Sequence, residues 1–175
     1  MTMNKRFLLI IAALSVFLTA KAGDGNRYFN LHAGGFYQKA FVTTIELEFE
    51  GKYSHSWVAY ADLCNTYKYC DIDKTIFCKE TFWDYQTAGV GVAYKHQLVR
   101  FKNANLKVRG GVDLGTDYCK TDGYSFYMSV DVGIEYSYTF KSGVQFCISQ
   151  KNDFCFFTRD NFKNGLIIGF KIPLN

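Results

Sequence analysis

Few residues in this chain are placed to do covalent chemistry. His55 stands beside Ser56 in "HSW", a base next to a hydroxyl. An activated nucleophile needs that pair in hydrogen-bond reach and a third group to orient the base. No such third group stands at a recognisable spacing, and no enzymatic activity is expected. The other histidines, His32 and His96, are scattered and carry no carboxylate motif, so no metal site is expected. "GVGVAY", residues 89–94, lacks the third glycine and the following helix of a dinucleotide fingerprint. No cofactor is expected. The six cysteines are Cys64, Cys70, Cys78, Cys119, Cys147 and Cys155; none forms a C-x-x-C pair, which removes the usual zinc spacing.

The charged residues are more informative, because they recur at every second position. "SFYMSVDVGIEYSY", residues 125–138, places Phe126, Met128, Val130, Val132, Ile134, Tyr136 and Tyr138 on one parity. Ser125, Tyr127, Ser129, Asp131, Gly133, Glu135 and Ser137 take the other. A period of two at this length predicts a strand with two unlike faces. Seven further segments have a preferred parity, over residues 28–37, 41–49, 56–67, 82–95, 105–115, 144–151 and 162–174. With compact connections they predict an all-β domain, an eight-stranded antiparallel up-and-down β-barrel. The connections at 50–55, 96–104 and 139–143 fall at one end. Those at 38–40, 68–81, 116–124 and 152–161 fall at the other and are longer on average, as the external loops of a membrane barrel are.

Two barrels could wear this pattern: a soluble lipocalin-like one, polar outside, or one of outer-membrane type, apolar outside. Three features favour the membrane. On the apolar parity, Tyr37, Phe41, Phe126 and Phe162 lie towards one end and Phe29, Phe49, Tyr94, Tyr136 and Tyr138 towards the other, with aliphatic residues between, like two interfacial girdles. Glycines crowd the polar parity at Gly89, Gly91, Gly111, Gly115, Gly133, Gly165 and Gly169, which suits a narrow lumen better than a solvated face. The polar parity also carries Glu46, Glu48, Asp113, Asp131 and Glu135 against Lys107, Arg109, Lys151, Lys163 and Lys171, five of each sign. Buried charges persist when paired.

If the fifth-to-sixth loop spans 116–124, residues whose numbers sum to about 240 face each other. Arg109 then meets Asp131 and Lys107 lies near Glu135, giving two lumenal ion pairs. Such a lumen is filled, so function would belong to the external loops or rim. Cys64, Cys70, Cys78, Cys119 and Cys155 lie in or beside those loops, where disulfides are expected, one joining the third and fourth loops. Cys147 points into the lumen.

The N-terminus predicts export. "MTMNKR" is basic, residues 7–18 are apolar, and Ala20 and Ala22 form an A-x-A pattern. This is the form of a signal peptide, residues 1–22, cleaved after Ala22. The mature domain is then 23–175. Cleavage removes Lys5, Arg6 and Lys21, and the formal charge falls from +4 to +1 (4 − 3). No basic patch for nucleic acid remains.

From residue 85 onward the chain resembles TraO, a conjugative-transfer family of small exported barrels. The relevant stretches are "DYQTAGVGVAYKHQL", "NLKVRGGVDLGTDY", "VDVGIEYSYTFKSGVQFCISQKNDF" and "KNGLIIGFKIPLN", with "WVAYADLCNTYKY" a looser match. The resemblance implies an outer-membrane component of a conjugative DNA-transfer apparatus. Its partners would be membrane lipid and other envelope or transfer-apparatus proteins, without direct contact to DNA. The other readings are a general surface barrel that binds a ligand, adhesin partner or lipid through its loops, and a soluble lipocalin-like carrier.

Overall fold

The computed structural model describes residues 25–36, 40–51, 53–66, 85–119, 123–157 and 161–174. They form strands β1 (Arg27–Phe36), β2 (Ala40–Glu50), β3 (Ser56–Thr66), β4 (Tyr85–Arg100), β5 (Ala104–Cys119), β6 (Gly123–Thr139), β7 (Gln145–Phe156) and β8 (Phe162–Leu174). Each strand pairs antiparallel with the next, and β8 closes on β1. Closure leaves no exposed ladder of backbone groups, which matters most where no water can satisfy them.

The circuit around the barrel is staggered. Paired residues run Phe36, Gly165, Lys151, Gly133, Arg109, Lys95, Ser56 and Glu50. The Glu50 amide then bonds the carbonyl of Asn26. One turn therefore returns to the first strand ten residues away, from Phe36 to Asn26. A stagger of this kind tilts the strands by roughly 35–45° and leaves an interior wide enough only for side chains.

The strands run further than the hydrophobic alternation indicates. Residues 96–100, 116–119 and 152–156, expected in connections, belong to β4, β5 and β7. Polar positions in these stretches disguise them as loops, yet their backbones complete the ladders. The remaining connections at the lower end are tight. Phe101 N–H bonds Ala104 O at 2.7 Å, and Gly143 N–H bonds Phe140 O at 3.0 Å, with Gly143 at a φ of 85° that a side chain would strain.

Burial is inverted relative to a soluble domain. All nine carboxylates among the described residues are buried: Glu46, Glu48, Glu50, Asp62, Asp113, Asp117, Asp131, Glu135 and Asp153. So are Lys95, Lys107, Arg109, Lys151, Lys163 and Lys171. The interior is thus nine acids against six bases, not five of each. The additional acids Asp117 and Asp153 come from positions expected in loops. Glu50 comes from a strand end, Lys95 from within β4, and Asp62 from the least regular strand. Outside, Leu31, Ile45, Val90, Val112, Leu114, Val132, Ile134, Ile148, Leu166 and Ile168 are 40–59% exposed. Aromatic side chains flank this aliphatic band. Phe41, Phe126, Phe154 and Phe162 lie above it, and Trp57, Tyr94, Tyr136, Tyr138 and Phe170 below, all exposed. Tyr37 and the proposed signal peptide lie outside the described residues.

Candidate functional site

The lower half of the lumen is one ionic network. β2 contributes Glu46, Glu48 and Glu50, aimed inward by its alternation. β4, β5, β6 and β8 supply Lys95, Lys107, Arg109, Glu135 and Lys171 at matching parity. Lys95 Nζ donates to Glu46 at 2.9 Å, Glu48 at 3.1 Å and Glu135 at 2.7 Å. Lys171 joins Glu48 at 2.7 Å and also Glu135. Asn30 Nδ2 spans Glu46 and Glu48 at 3.0 Å each. Every cation meets more than one carboxylate, which is how charge survives in a dry interior.

Arg109 and Asp131 are brought together. Arg109 Nε donates to both carboxylate oxygens, at 3.0 and 3.1 Å, while its Nη1 donates to Glu46. Tyr60 adds its hydroxyl to Asp131 at 2.9 Å, and the guanidinium lies 4.4 Å from the centre of the Tyr60 ring. The register differs from the expected one by two residues, because β5 extends further towards the turn than β6 does. Arg109 is opposite Gly133, and Asp131 opposite Gly111, so the pair is diagonal.

Lys107 and Glu135 are directly opposite each other on the ladder, yet their charged ends go elsewhere. Lys107 Nζ bonds Glu48 at 3.0 Å, Glu50 at 2.8 Å and Ser56 Oγ at 2.9 Å. Glu135 takes Lys95 and Lys171. The barrel is narrow, so a long side chain reaches across the lumen as readily as along the wall. Lys95, absent from the expected inward set, is the hub. Its parity on β4 is the signal that could have found it.

Glu46, Glu48 and Glu135 place carboxylate oxygens within 4.8 Å of one another, a spacing that could hold a metal ion. Lys95 and Lys171 supply the positive charge there instead. Ser56 is buried and occupied by Lys107, whereas the His55 ring accepts from the Gln97 amide at 3.2 Å and stacks on His96 at 4.4 Å. The adjacent base and hydroxyl thus serve different faces of the wall and do not act as a pair.

The upper lumen is built differently. Lys151 pairs with Asp62 and, at 3.4 Å, with Asp153. Ser129 and Tyr127 donate to Asp113, the tyrosine at 3.2 Å, and Lys163 donates to Thr87 at 3.2 Å. Phe36, Ala40, Val42, Cys64 and Ile167 form a small apolar cluster beside them. A void of about 10 Å³ remains, bordered by Phe36, Cys64, Cys155 and Lys163, room for about one water.

The cysteines expected in external disulfides are placed otherwise. Cys64 lies on β3 and Cys155 on β7, both buried in the lumen as free thiols, as is Cys147. Their parity turns them inward, and the extension of β7 to Phe156 carries Cys155 below the rim. Cys119 is the last residue of β5, and Cys70 and Cys78 lie outside the described residues.

Outside the lumen, the charged side chains among the described residues are all positive and all at the lower end: Arg27, half-buried, and Arg100, Lys102 and Lys141, exposed. With Phe101, Tyr138 and Phe140 they make a rim of cations and aromatics, the composition of a membrane–water interface.

No protein-family model matches the chain, and the comparison with curated proteins finds no match. Among solved structures it is similar to a major outer membrane protein from Thermus thermophilus. The TM-score is 0.61 at 9% identity, covering 87% of this chain and 100% of that one. It is also similar to Neisserial surface protein A, with a TM-score of 0.56 at 12% identity, covering 85% of this chain and 94% of that one. At such identities the likeness is one of fold, and the fold is that of an outer-membrane β-barrel.

Proposed function

We propose that this chain is an exported, non-enzymatic barrel of the outer membrane whose work is done by its rims and walls, not by its lumen. The observation that carries this reading is the inverted burial: every described carboxylate is inside, and most of the large aliphatic side chains are outside. In water such an exterior would be one continuous apolar patch, far beyond what a soluble monomer exposes. In lipid it is the favourable arrangement, and a carrier of the lipocalin kind would need the opposite one. The crossed ion pairs fill the interior, which favours a scaffold over a pore.

The assembly it serves is proposed from the TraO resemblance alone: an accessory barrel of a conjugative DNA-transfer apparatus that contacts other envelope proteins. Fractionation tests the first part. The protein should partition with outer membranes, start at Gly23, and change gel mobility on boiling; recovery in the periplasmic supernatant would overturn the reading. Deletion followed by mating assays tests the second, and unchanged transfer frequency would remove it in favour of a general surface barrel.

A further inference from the structure

The polar side chains on the lipid-facing wall bond one another. On β7 and β8, Asn164 Nδ2 and Gln150 Nε2 each donate to Asn152 Oδ1 at 2.7 Å. Asn152 Nδ2 donates to Gln150 Oε1 and to Val132 O, both at 3.0 Å. The cations of the lower rim behave differently. Arg100 ends β4, Lys102 lies in the turn to β5, and Lys141 lies in the turn from β6 to β7. All three are exposed, and none of their side chains has a hydrogen bond or ion pair with a described residue.

The backbone brings the three together. Phe101 N–H bonds Ala104 O and Thr139 N–H bonds Asn103 O, both at 2.7 Å, which holds the two turns side by side. Arg100, Lys102 and Lys141 then line one cleft of about 310 Å³ at the lower mouth of the barrel, with Asn103, Asn105 and Glu50. Glu50 is the one carboxylate among the described residues there, and Lys107 Nζ already donates to it at 2.8 Å. The cleft is therefore positive, and an anion is what its field attracts.

A second cleft, of about 450 Å³, lies against the outer wall on the other side of the β4–β5 turn. Tyr136, Tyr138 and Phe101 line it, all three exposed, and Phe140 packs edge-on against Tyr138 at 5.4 Å. Phe101, Lys102, Asn103 and Ala104 border both clefts. A cationic pocket and an aromatic one thus share a wall one turn thick, at the depth where aromatic rings meet the headgroups of a bilayer.

We propose that this corner of the lower rim binds one anionic phospholipid, its phosphate among Arg100, Lys102 and Lys141 and its glycerol and first acyl carbons against Phe101, Tyr136 and Tyr138. The proposal rests on the reading of the chain as an outer-membrane barrel and names a lipid class for that barrel. The charge selects the head, since three cations without a free carboxylate beside them favour a headgroup of net negative charge over a zwitterion. The aromatic cleft selects an amphiphile over a free anion.

The test uses the whole exported protein, reconstituted in vesicles of phosphatidylcholine and phosphatidylglycerol in equal amounts, then extracted in mild detergent. Native mass spectrometry reads which lipid stays bound. The wild type should retain one phosphatidylglycerol in preference to phosphatidylcholine, and millimolar inorganic phosphate should not displace it. Each cation beside an anionic surface is worth about fivefold in affinity. K102Q should therefore weaken retention about fivefold, and R100Q/K102Q/K141Q at least about tenfold. R27Q removes a rim cation that does not line the cleft and should change retention at most about twofold. All variants should keep the mobility shift on boiling that reports a folded barrel. A folded wild type in membranes that retains both lipids equally would overturn the proposal and leave the barrel reading intact. Retention that survives the triple variant, equal losses in K102Q and R27Q, or displacement by inorganic phosphate would overturn it too. Partition of the wild type into the soluble fraction would instead sink the outer-membrane reading and this proposal together.

Discussion

The two faces of β6 obey opposite rules. Asp131, Gly133 and Glu135 look into the lumen, while Val130, Val132 and Ile134, interleaved with them, are 36–48% exposed. Inside, Asp131 and Glu135 are each held by two named partners, and the spacing is so close that glycine recurs. Outside, contacts are non-specific and any apolar shape serves. The difference teaches where substitutions should matter and why. The inner face is a jigsaw of charge, in which removing one partner strands the rest. The outer face is a solvent boundary, in which the chemical class of a residue matters more than its shape. Exceptions on the outer face, such as the amides of β7 and β8, are therefore the more informative ones.

The largest effect should come from breaking the inner network at its hub. Lys95→Met leaves Glu46, Glu48 and Glu135 short of a shared cation and should cost about 3–5 kcal/mol. Urea titration in detergent, read by gel mobility without boiling, would measure it; a loss below about 1 kcal/mol would mean that water, not protein, satisfies these carboxylates.

Next is a charge on the outer wall. Val132→Lys should cost about 2–4 kcal/mol if that face meets the middle of the bilayer. A change as small as that of a typical solvated surface site would break the contrast between the faces.

The glycines sharpen it further. Gly115→Ala pushes a methyl group against the carbonyl of Ala88 and the Tyr127 ring, and should cost about 1–3 kcal/mol. Gly110→Ala, outward and open, should stay within about 0.5 kcal/mol. Equal effects of the two would show that lumen and wall are not packed differently.

The smallest expected change is at the thiols. Cys64, Cys147 and Cys155 should resist maleimide in the folded barrel and label only after denaturation, as peptide mass mapping would read. Rapid labelling of all three in the native state would mean that the lumen is open to reagents.

Much of this is legible locally. Strand existence and parity follow from the period of two, so Asp131, Glu135, Lys151 and Lys171 fall inward from alternation alone, and Cys147 with them. Asp117 and Asp153 do not, because a charged residue near a strand end looks the same as one in a turn; Lys95 has the inward parity on β4, yet stands outside the expected inward set. Cys155 reads as a loop residue because β7 extends past its hydrophobic alternation, whereas Cys64 stands at the end of an expected strand, beside a loop. Gln150, Asn152 and Asn164 give no local signal either: three amides separated along the chain become a patch only when β7 pairs with β8.

The sequence by itself determined that the chain is an eight-stranded barrel with one apolar and one charged face, because alternation is a property of neighbouring residues. Which charges meet was decided only by the tertiary structure. A closed circuit with a ten-residue stagger brings Lys171 of the last strand to Glu48 of the second, and Lys95 to Glu135. Those contacts depend on closure, stagger and side-chain reach across the lumen, none of which is written in the order of residues along any one strand.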